Sequence, residues 1–476
     1  MFIKISNRHF RIGLKILFFF VIQLFLAFGI RPETKEANAG VTPTRRVNVP
    51  YLQDLPFEPA IFWFGQVDPS HNSVDVRLWY YEDTLRIVFH IIDRLHWQDP
   101  SGSVANLTNW DAISLYLDLD GNVGSYPDAN AYRLDVQLGG LKASYRGNGS
   151  TWISSPVSYS VDTVWRGPQG PNSGVDGKGW QVDFYIPFSS LGFTSQPPVG
   201  TVWGLGVVMH DRDDASGSNI IHTIWPESFD PNLPGSWGQL SYGKANYTPP
   251  ISTQEGETLI RHRYNGANVV DGAVGGHTIC GDNLDHWSEW GDANYNGYNQ
   301  FNVQNQWDVS DWPCFSKFFV TFPLDSIPSN KVIISATLTM TLFGNAGGGV
   351  WGEPPDSYIQ VLTVGDSWNE ATLSWNNAPL AVENISGTWV YPRDYSVPDQ
   401  PYHWDISKAV YQAYTAGEPL RLAVYSADGE MHSGKYFWTS DVEDYDAVMR
   451  PTIRVVWGNI CNPQDCPPVY LPLIFR

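Results

Sequence analysis

The chain has 476 residues, and 29 Lys and Arg against 49 Asp and Glu give a formal net charge of −20. The length excludes a single small module and allows two large or three smaller domains. The acidic balance argues against a nucleic-acid partner, because phosphate would be repelled. Charged residues are only 16%, whereas 21 Trp, 24 Tyr, 43 Gly and 34 Pro favour short strands and turns, so the composition indicates an all-β protein.

Residues 1–39 have the order of a secretory signal peptide. A basic region precedes the apolar stretch from Ile16 to Ile30, and Ala37-Asn38-Ala39 has the small-x-small pattern of a cleavage site. The alternative is a retained membrane anchor, but this apolar stretch is shorter than the roughly 20 residues that span a bilayer. We therefore expect cleavage after Ala39, a secreted, extracellular or cell-surface protein, and no stable membrane span after cleavage.

Four cysteines occur, an even number that suits disulfides in an exported protein. Three pairings are possible, and proximity in the sequence favours Cys280 with Cys314 and Cys461 with Cys466. Zinc is disfavoured, because a four-cysteine zinc site normally needs two close C-x-x-C pairs.

Two blocks of the chain alternate apolar and polar residues with the period of β-strands. Leu134 and Val136 alternate with Arg133 and Asp135 in the first block, and the stretch from Ser335 to Leu342 alternates in the second. Helical periodicity is nearly absent apart from about Ile406 to Thr415. We expect two antiparallel, jelly-roll-like β-sandwich domains at 51–243 and 255–458, joined by a linker at 244–254. The tail at 459–476 is either a surface-retention tag or an edge strand with a frayed end.

The first block resembles carbohydrate-binding module family 9 and its relatives over about 55–243. The resemblance rests on Trp110-Asp111-Ala112-Ile113, on Ile186-Pro187-Phe188, on Trp225-Pro226 and on Trp237-Gly238-Gln239-Leu240, which occur in the family's order. It implies a β-sandwich that binds sugars by stacking them on tryptophans, often with structural calcium, and that has no hydrolytic activity of its own.

Sugar-contacting residues follow from this resemblance. The family's contacts map onto Trp110, onto Arg133 and Asp135 in one strand, and onto Trp225, with Trp97 and Trp165 as alternatives; Ser114 stands where many members carry a carboxylate. Tryptophan suits this role physically, because an indole covers the apolar C–H face of a pyranose while polar neighbours bind its hydroxyls. The alternative for each Trp is a buried structural position.

Two acidic segments are candidate calcium sites. Asp118, Asp120, Asn122 and Asp128 place oxygen ligands at alternating positions around a glycine, as small calcium loops do, and an ordinary Asp/Asn turn is the alternative. The run from His210 to Asp214 could bind calcium or sugar hydroxyls, although solvated loop charges are the favoured interpretation there.

The second block resembles the DNRLRE-type domain, which is grouped with carbohydrate-binding module family 96. The most specific feature is Trp368-Asn-Glu370-Ala-Thr372-Leu-Ser-Trp375-Asn-Asn-Ala-Pro379. The resemblance implies a jelly-roll-like sandwich of secreted proteins, with polysaccharide binding in some members. We interpret Trp368 and Trp375 as structural, and the stretch between Cys280 and Cys314 could carry a separate binding surface through Trp287, Trp290 and Tyr295.

Catalytic signatures are missing from the sequence, which contains no H-E-x-x-H, no G-x-S-x-G and no phosphate-binding glycine loop. We therefore favour a secreted, non-catalytic protein that binds polysaccharide or oligosaccharide through aromatic platforms, with calcium as its cofactor. The first alternative is a cell-surface adhesion or scaffold protein. The second is an accessory part of polysaccharide hydrolysis.

Overall fold

A computed structural model describes residues 44–53, 57–121, 124–397 and 400–461. The predicted fold class is confirmed, since strands dominate this part of the chain and most of them pair antiparallel. The predicted helix near Ile406 to Thr415 is also confirmed as α1, Ser407–Ala416. No helix in the described ranges is long and apolar enough to cross a membrane.

The first half of the described chain contains thirteen strands, and the second contains eleven. The first are β1 Arg46–Val49, β2 Ala60–Asp68, β3 His71–Tyr81, β4 Thr84–Ile92, β5 Ala112–Asp118, β6 Ala131–Gln137, β7 Lys142–Gly147, β8 Trp152–Ser154, β9 Ser160–Arg166, β10 Gly179–Pro187, β11 Val202–Arg212, β12 Ile220–Trp225 and β13 Gly238–Tyr242. The second are β14 Ser252–Arg261, β15 Val270–Gly275, β16 Gln300–Val303, β17 Ser316–Phe322, β18 Val332–Asn345, β19 Ser357–Val364, β20 Ala381–Val390, β21 Gln400–Asp405, β22 Leu420–Ser426, β23 Lys435–Trp438 and β24 Thr452–Ile460.

Short 3₁₀ turns connect several of these strands. They lie at Val104–Asn109, Phe188–Leu191, Pro234–Ser236, Tyr264–Gly266, His277–Ile279, Trp290–Asp292, Val309–Cys314, Gly349–Trp351, Glu370–Thr372 and Asp444–Met449. The predicted domain boundaries stay predictions. β1 lies before the expected start of the first domain, and β14 begins within the expected linker.

The strands form three sheets that make two sandwiches. A five-stranded sheet, β2-β3-β4-β10-β9, packs on β13-β11-β5-β6-β7-β8, and β12 pairs with β11. A six-stranded sheet, β14-β24-β18-β23-β16 with β21 on β18, packs on β15-β17-β22-β19-β20. β1 runs parallel to both β13 and β20, so it joins one sheet of each sandwich into a continuous thirteen-stranded sheet.

The period-two pattern explains the first core. On β5 the side chains of Ile113, Leu115 and Leu117 point inward and are fully buried. They meet Phe62 and Phe89 from the five-stranded sheet in one apolar cluster. Because successive side chains of a strand alternate between faces, the intervening residues of β5 must project to the opposite face of the sheet.

The two sandwiches pack against each other through the side of β2, β3 and β4 that points away from the first core. Ile61, Trp63 and Ile92 of the first sandwich join Phe319 and Tyr425 of the second in a separate apolar cluster. The Trp63 ring meets the Tyr425 ring edge to face, with 5.7 Å between their centroids. One outer face of the first sandwich is therefore buried inside the molecule.

Polar groups inside this interface are hydrogen-bonded across it. The Asp75 carboxylate, 2% exposed on β3, accepts hydrogen bonds from the Tyr425 hydroxyl at 2.6 Å and from the Asn305 amide at 3.1 Å. Arg77, also on β3, donates to the carbonyl oxygens of Ala427 and Asp428 at 3.1 and 2.9 Å. Buried polar groups destabilise a fold unless they are paired, so these contacts fix the register of the two sandwiches.

Lys317 of β17 completes the interface. Its ammonium lies 3.3 Å from the ring centroid of Trp375 and 4.6 Å from that of Trp63, and 3.9 Å from Asp75. Burial lowers its pKa to about 7, and the nearby Asp75 carboxylate opposes that change. An ordinary lysine has a pKa of 10.5, so this group responds to pH in the neutral range.

We expect the Lys317→Met exchange to reveal this shift in stability. Between about pH 7 and 10.5 the unfolded chain binds a proton that folded Lys317 does not, so the free energy of unfolding gains a contribution that rises with pH. The free energy of unfolding of the wild type minus that of Lys317→Met should rise by at most ~1.4 kcal/mol per pH unit above pH 7. Below pH 7 this difference should not change. Denaturant unfolding from pH 6 to 9.5 measures this, and Lys244→Met at an exposed position serves as the control. A difference that does not vary with pH would contradict the shift.

Candidate functional site

The other outer face of the first sandwich is open to solvent at its edges and carries most of the predicted contact residues. We call it the outer face. It is formed by alternate residues of β12, β11, β5, β6, β7 and β8. Its members include Trp110, Ser114, Tyr116, Arg133, Asp135, Tyr145, Trp152, His210 and His222.

Arg133 and Asp135 lie two residues apart on β6, so both project from this face. Arg133 donates from Nε to one Asp135 oxygen at 2.8 Å, and its Nη2 lies 2.8 Å from the other. The guanidinium lies between two rings, 5.7 Å from the Tyr116 centroid and 5.1 Å from that of Tyr145. The Asp135 side chain is 2% exposed and that of Arg133 is 24% exposed, so the arginine presents the accessible polar surface.

A chain of hydrogen bonds crosses the strands behind this pair. Ser114 Oγ lies 2.6 Å from Asp135 Oδ1 and 2.9 Å from His210 Nε2, and His210 Nδ1 lies 3.0 Å from His222 Nδ1. An ionised carboxylate only accepts, so the direction of donation is set from that end. Ser114 donates to Asp135, His210 Nε2–H donates to Ser114, and His222 Nδ1–H donates to His210.

The hydrogen bonds just assigned require both histidines to be neutral. Burial lowers the pKa of His210 well below 6.5, and His222 and Arg133 lower it further. Burial also lowers the pKa of His222. The neutral imidazoles can therefore relay the hydrogen bonds that hold Asp135, and Asp135 in turn orients Arg133.

The Ser, His and Asp in this chain do not form a hydrolytic triad. Ser114 is fully buried, so its oxygen cannot reach a substrate carbonyl. The Asp135 carboxylate accepts from Ser114 and not from His210, whereas a triad needs the carboxylate on the imidazole. The arrangement is one that positions Arg133.

Trp110 lies at one end of the outer face. It follows the Val104–Asn109 turn, and the guanidinium of Arg212 stacks on its ring at 3.7 Å from the centroid. The indole is half-buried, so part of it is accessible. Trp97 is also half-buried, and its backbone pairs with Asp111, next to Trp110 in the chain. The structure thus brings Trp110, Arg133 and Asp135 onto one face, with Trp97 beside it.

Trp225 is placed differently from the prediction. It lies on β12 opposite Val207, and its ring packs on Phe62 in the core with 4.2 Å between centroids. It is 1% exposed. Its side chain points away from the outer face because it falls on the inward phase of the strand, so it is a core residue and not an accessible platform.

An aromatic cluster forms the opposite end of the outer face. Tyr116, Phe229 and Trp237 are buried there, and the half-buried Trp152 stacks parallel to Trp237 with 6.3 Å between centroids. Gly206 makes this possible, since a Cβ at that position would lie 1.9 Å from the Phe229 ring. This cluster was not predicted from the sequence, because Trp152 opens the short strand β8 whereas Phe229 and Trp237 lie between β12 and β13.

Three of the four predicted calcium ligands come together. Ligand oxygens of Asp118, Asp120 and Asp128 lie within 4.8 Å of one another, while Asn122 lies outside the described residues. Burial, together with the neighbouring Asp120 carboxylate, raises the pKa of Asp118 to about 7. However, Asn130 donates from its backbone to Asp128 and from its amide to Asp120, which is how an ordinary polar turn is stabilised.

A second acidic cluster is buried more deeply, and it was not predicted from the sequence. Asp93 directly follows β4, Asp111 precedes β5 and Asp211 lies near the end of β11, and their ligand oxygens lie within 4.8 Å of one another. Asp93 and Asp111 are fully buried and Asp211 is 2% exposed. The favoured interpretation of Asp211 as a solvated loop charge is therefore wrong, because β11 extends to Arg212 and carries it inside.

The hydrogen bonds of this cluster are unequal. Asp111 accepts from the backbone of Trp97 at 2.6 Å and of Arg212 at 2.8 Å. Asp93 accepts from the indole of Trp180 at 3.0 Å. Neither carboxylate oxygen of Asp211 has a hydrogen-bond partner within the described ranges.

The pKa values of these three carboxyl groups reflect their burial and their closeness to one another. Burial raises the pKa of all three well above 3.8, and repulsion from neighbouring aspartates adds to it. Three buried carboxylates with an unpaired member fit a cation that prefers oxygen ligands, as calcium does. The residues therefore fit the implied cofactor better here than in the predicted turn.

The stretch between Cys280 and Cys314 is closed by a disulfide between them, the pairing that sequence proximity favours. Trp290 within it is fully buried against Trp312 and Trp375, and Tyr295 is 8% exposed. The expected separate surface is therefore wrong for these two aromatics, which serve as core. The pairing of Cys461 stays a prediction, since Cys466 lies outside the described residues, as do residues 1–39.

The WNEATLSWNNAP string is structural at its second tryptophan, as predicted. Trp375 is 5% exposed, packs on Trp290 and donates its indole N–H to Ser73 Oγ at 3.1 Å. It thereby belongs to the interface between the sandwiches. This position leaves no surface of Trp375 for a sugar.

Comparison with known families concerns the second sandwich. Residues 287–441 match the model of carbohydrate-binding module family 96. The predicted family 96 resemblance of this block is thus confirmed, over less than half of the chain. No curated protein matches the chain.

Two solved structures of carbohydrate-binding module family 9 from Caldicellulosiruptor kristjanssonii are similar to part of the chain. One, in complex with cellotriose, is 13% identical, with alignment over 42% of this chain and 94% of that one and a TM-score of 0.31. The other, in complex with glucose, is 13% identical over 43% and 99%, with a TM-score of 0.30.

The aromatic cluster gives a direct prediction. Gly206→Ala should destabilise the chain by about 1–3 kcal/mol, because the new methyl group forces Phe229 off the sheet and cannot be absorbed by the backbone beneath it. Denaturant unfolding measures the free energy, and near-ultraviolet circular dichroism reports the aromatic packing. Gly235→Ala, where the nearest atom to a Cβ is 4.0 Å away, is the matched control. Equal stability of the two variants would show that Phe229 does not cover Gly206.

Proposed function

We propose that this chain is an exported, non-catalytic carbohydrate-binding protein that attaches to polysaccharide through the outer face of its first sandwich. The observation that carries the proposal is the placement of Trp110, Arg133 and Asp135 on one face. The family 96 match of the second sandwich supports the same class of function. The expected signal peptide would take the protein to the polysaccharide.

The chemistry of the outer face suits a sugar. Half-buried rings such as Trp110, Tyr145 and Trp152 offer flat apolar surface for the C–H face of a pyranose. Arg133 is anchored on Asp135 and so holds its guanidinium in a fixed orientation toward hydroxyl or carboxylate oxygens. Preorganised donors of this kind reduce the entropy that binding costs.

Affinity electrophoresis of the full mature chain tests this function, in gels that contain xylan, cellulose derivatives, alginate or pectin. We expect retardation in at least one gel. Trp110→Ala should weaken it about 3- to 10-fold, since ring stacking contributes about 0.5–1.5 kcal/mol. Arg133→Met should also weaken it, because the methionine keeps the apolar stem and removes the donors.

The control variants carry the same types of substitution, Trp to Ala and Arg to Met, at exposed positions of the second sandwich. Trp351→Ala removes an indole that is 66% exposed in the second sandwich, and Arg454→Met removes an arginine whose side chain is 56% exposed. Both should migrate like the wild type. Retardation that only the control exchanges reduce would move the site to the second sandwich, and no retardation in any gel would contradict carbohydrate binding and favour an adhesion role toward proteins.

We also propose that calcium is the cofactor and that Asp93, Asp111 and Asp211 hold it. The proposal is supported by their burial and by the unpaired oxygens of Asp211. A calcium ion would neutralise the buried charge and fix the ends of β4, β5 and β11. Since Asp111 follows Trp110 directly, the ion would also hold this end of the outer face in place.

Calcium should raise the melting temperature of Asp211→Asn by less than it raises that of the wild type, because an amide is a weaker calcium ligand than a carboxylate. The measurement is thermal unfolding of chelator-treated chain with and without added calcium. Asp120→Asn in the exposed turn is the matched control and should keep the wild-type gain. If Asp120→Asn loses that gain and Asp211→Asn keeps it, the calcium belongs to the turn.

A further inference from the structure

The second sandwich contains an acidic cluster of its own. Asp271 lies on β15, Glu370 opens the turn Glu370–Thr372, and Asp441 follows β23. These residues are far apart in sequence, yet their ligand oxygens lie within 4.8 Å of one another. The fold therefore brings three carboxylates together from three separate segments.

Asp271 is the buried member of this cluster. It is 1% exposed, and its Oδ2 accepts a hydrogen bond from the backbone of Ser440 at 2.7 Å. Its Oδ1 is equally inaccessible and has no hydrogen-bond partner in the part of the chain that the structure describes. A buried carboxylate oxygen without a partner is costly, so this atom points to a ligand.

Glu370 and Asp441 supply the more accessible oxygens. Their carboxyl groups lie close enough to share a proton, and burial together with Asp441 raises the pKa of Glu370. Burial raises the pKa of Asp271 well above 3.8, and Asp441 and Glu370 add repulsion. Three carboxylates at this spacing repel one another unless a proton or a cation lies between them.

The backbone around the cluster is fixed by hydrogen bonds. Thr439 donates from its amide to the carbonyl oxygen of Asn299 at 3.1 Å, and from its hydroxyl to that of Tyr298 at 2.8 Å. The Asp441 amide donates to the Thr439 hydroxyl at 3.1 Å, which sets the direction of the Asp441 segment. These hydrogen bonds fix the backbone of the segment that carries Asp441.

We propose that Asp271, Glu370 and Asp441 bind a calcium ion. Carboxylate oxygens are the ligands that calcium prefers, and its flexible coordination by 6–8 oxygens suits one buried and two accessible carboxylates. The ion pairs with the orphan oxygen of Asp271 and relieves the repulsion among the three groups. Magnesium fits less well, because it demands near-ideal octahedral geometry and keeps several waters.

This site gives Glu370 of the WNEATLSWNNAP string a role. The string's second tryptophan is buried in the interface between the sandwiches, whereas Glu370 faces Asp271 and Asp441. A bound ion joins this string to β15 and to the segment after β23. The inference concerns the second sandwich and does not rest on the proposed carbohydrate binding.

Calcium content of the full mature chain tests the proposal. The protein is stripped with chelator, dialysed against calcium and measured by elemental analysis, and affinity is measured by titration calorimetry. We expect Glu370→Gln and Asp441→Asn each to lower the stoichiometry by one ion or to weaken one binding event by about 10-fold or more. Glu418→Gln, an exposed glutamate whose side chain is 60% accessible, is the matched control and should bind as the wild type does.

The Asp211→Asn variant separates this site from the one proposed in the first sandwich. Asp211→Asn should retain the ion that Glu370→Gln loses, and the double variant should bind neither. Terbium luminescence of Asp211→Asn alone provides a second readout if the Glu370 and Asp441 variants do not fold. The proposal is overturned if folded Asp211→Asn binds no calcium or terbium, or if Glu370→Gln and Asp441→Asn bind calcium with unchanged stoichiometry and affinity.

Discussion

The packing of β2, β3 and β4 against the second sandwich decides which surface of the first sandwich remains available. A sandwich has two outer faces, and here one of them is consumed by the interface in which Lys317 lies against Trp63 and Trp375. The Asp75 carboxylate and its hydrogen bond from Tyr425 make that interface specific in register. The other outer face, on β5, β6 and β11, is not part of this interface.

The outer face shows how a β-sheet positions a polar site. Strand pairing places Ser114 opposite Asp135 and next to His210, so neighbouring strands supply one continuous hydrogen-bond chain. Ser114, Asp135 and His210 are buried, His222 lies at the exposed end, and Arg133 carries the charge that compensates Asp135. Because each partner is fixed by the next, Arg133 reaches solvent from a rigid base.

Buried acidity is the second constraint on this chain. Aspartates at the ends of β4 and β11 and before β5 meet in the first sandwich, and Asp271, Glu370 and Asp441 meet in the second. In each cluster at least one fully buried oxygen lacks a hydrogen-bond partner within the described residues. An overall charge of −20 makes such clusters costly to keep without cations, which links the composition to the calcium proposals.

The all-β fold, the helix near Ile406 and the family 96 resemblance could be predicted because they depend on local period and on one specific string. The faces of individual aromatics could not. Trp110 and Trp225 both belong to motifs of the family 9 resemblance. Trp110 points to the outer face, whereas Trp225 points into the core. Asp93 and Asp111 were missed as a pair because only the pairing of distant strands brings them to Asp211.

The central claim is that sugar binds on the outer face of the first sandwich. A crystal structure of the full mature chain, soaked with oligosaccharides of the polysaccharide that retards it in gels, tests this directly. The expected result is a sugar ring in contact with Trp110 or Tyr145 and within hydrogen-bond distance of Arg133. A sugar bound only to the second sandwich, with this face unliganded, would contradict it.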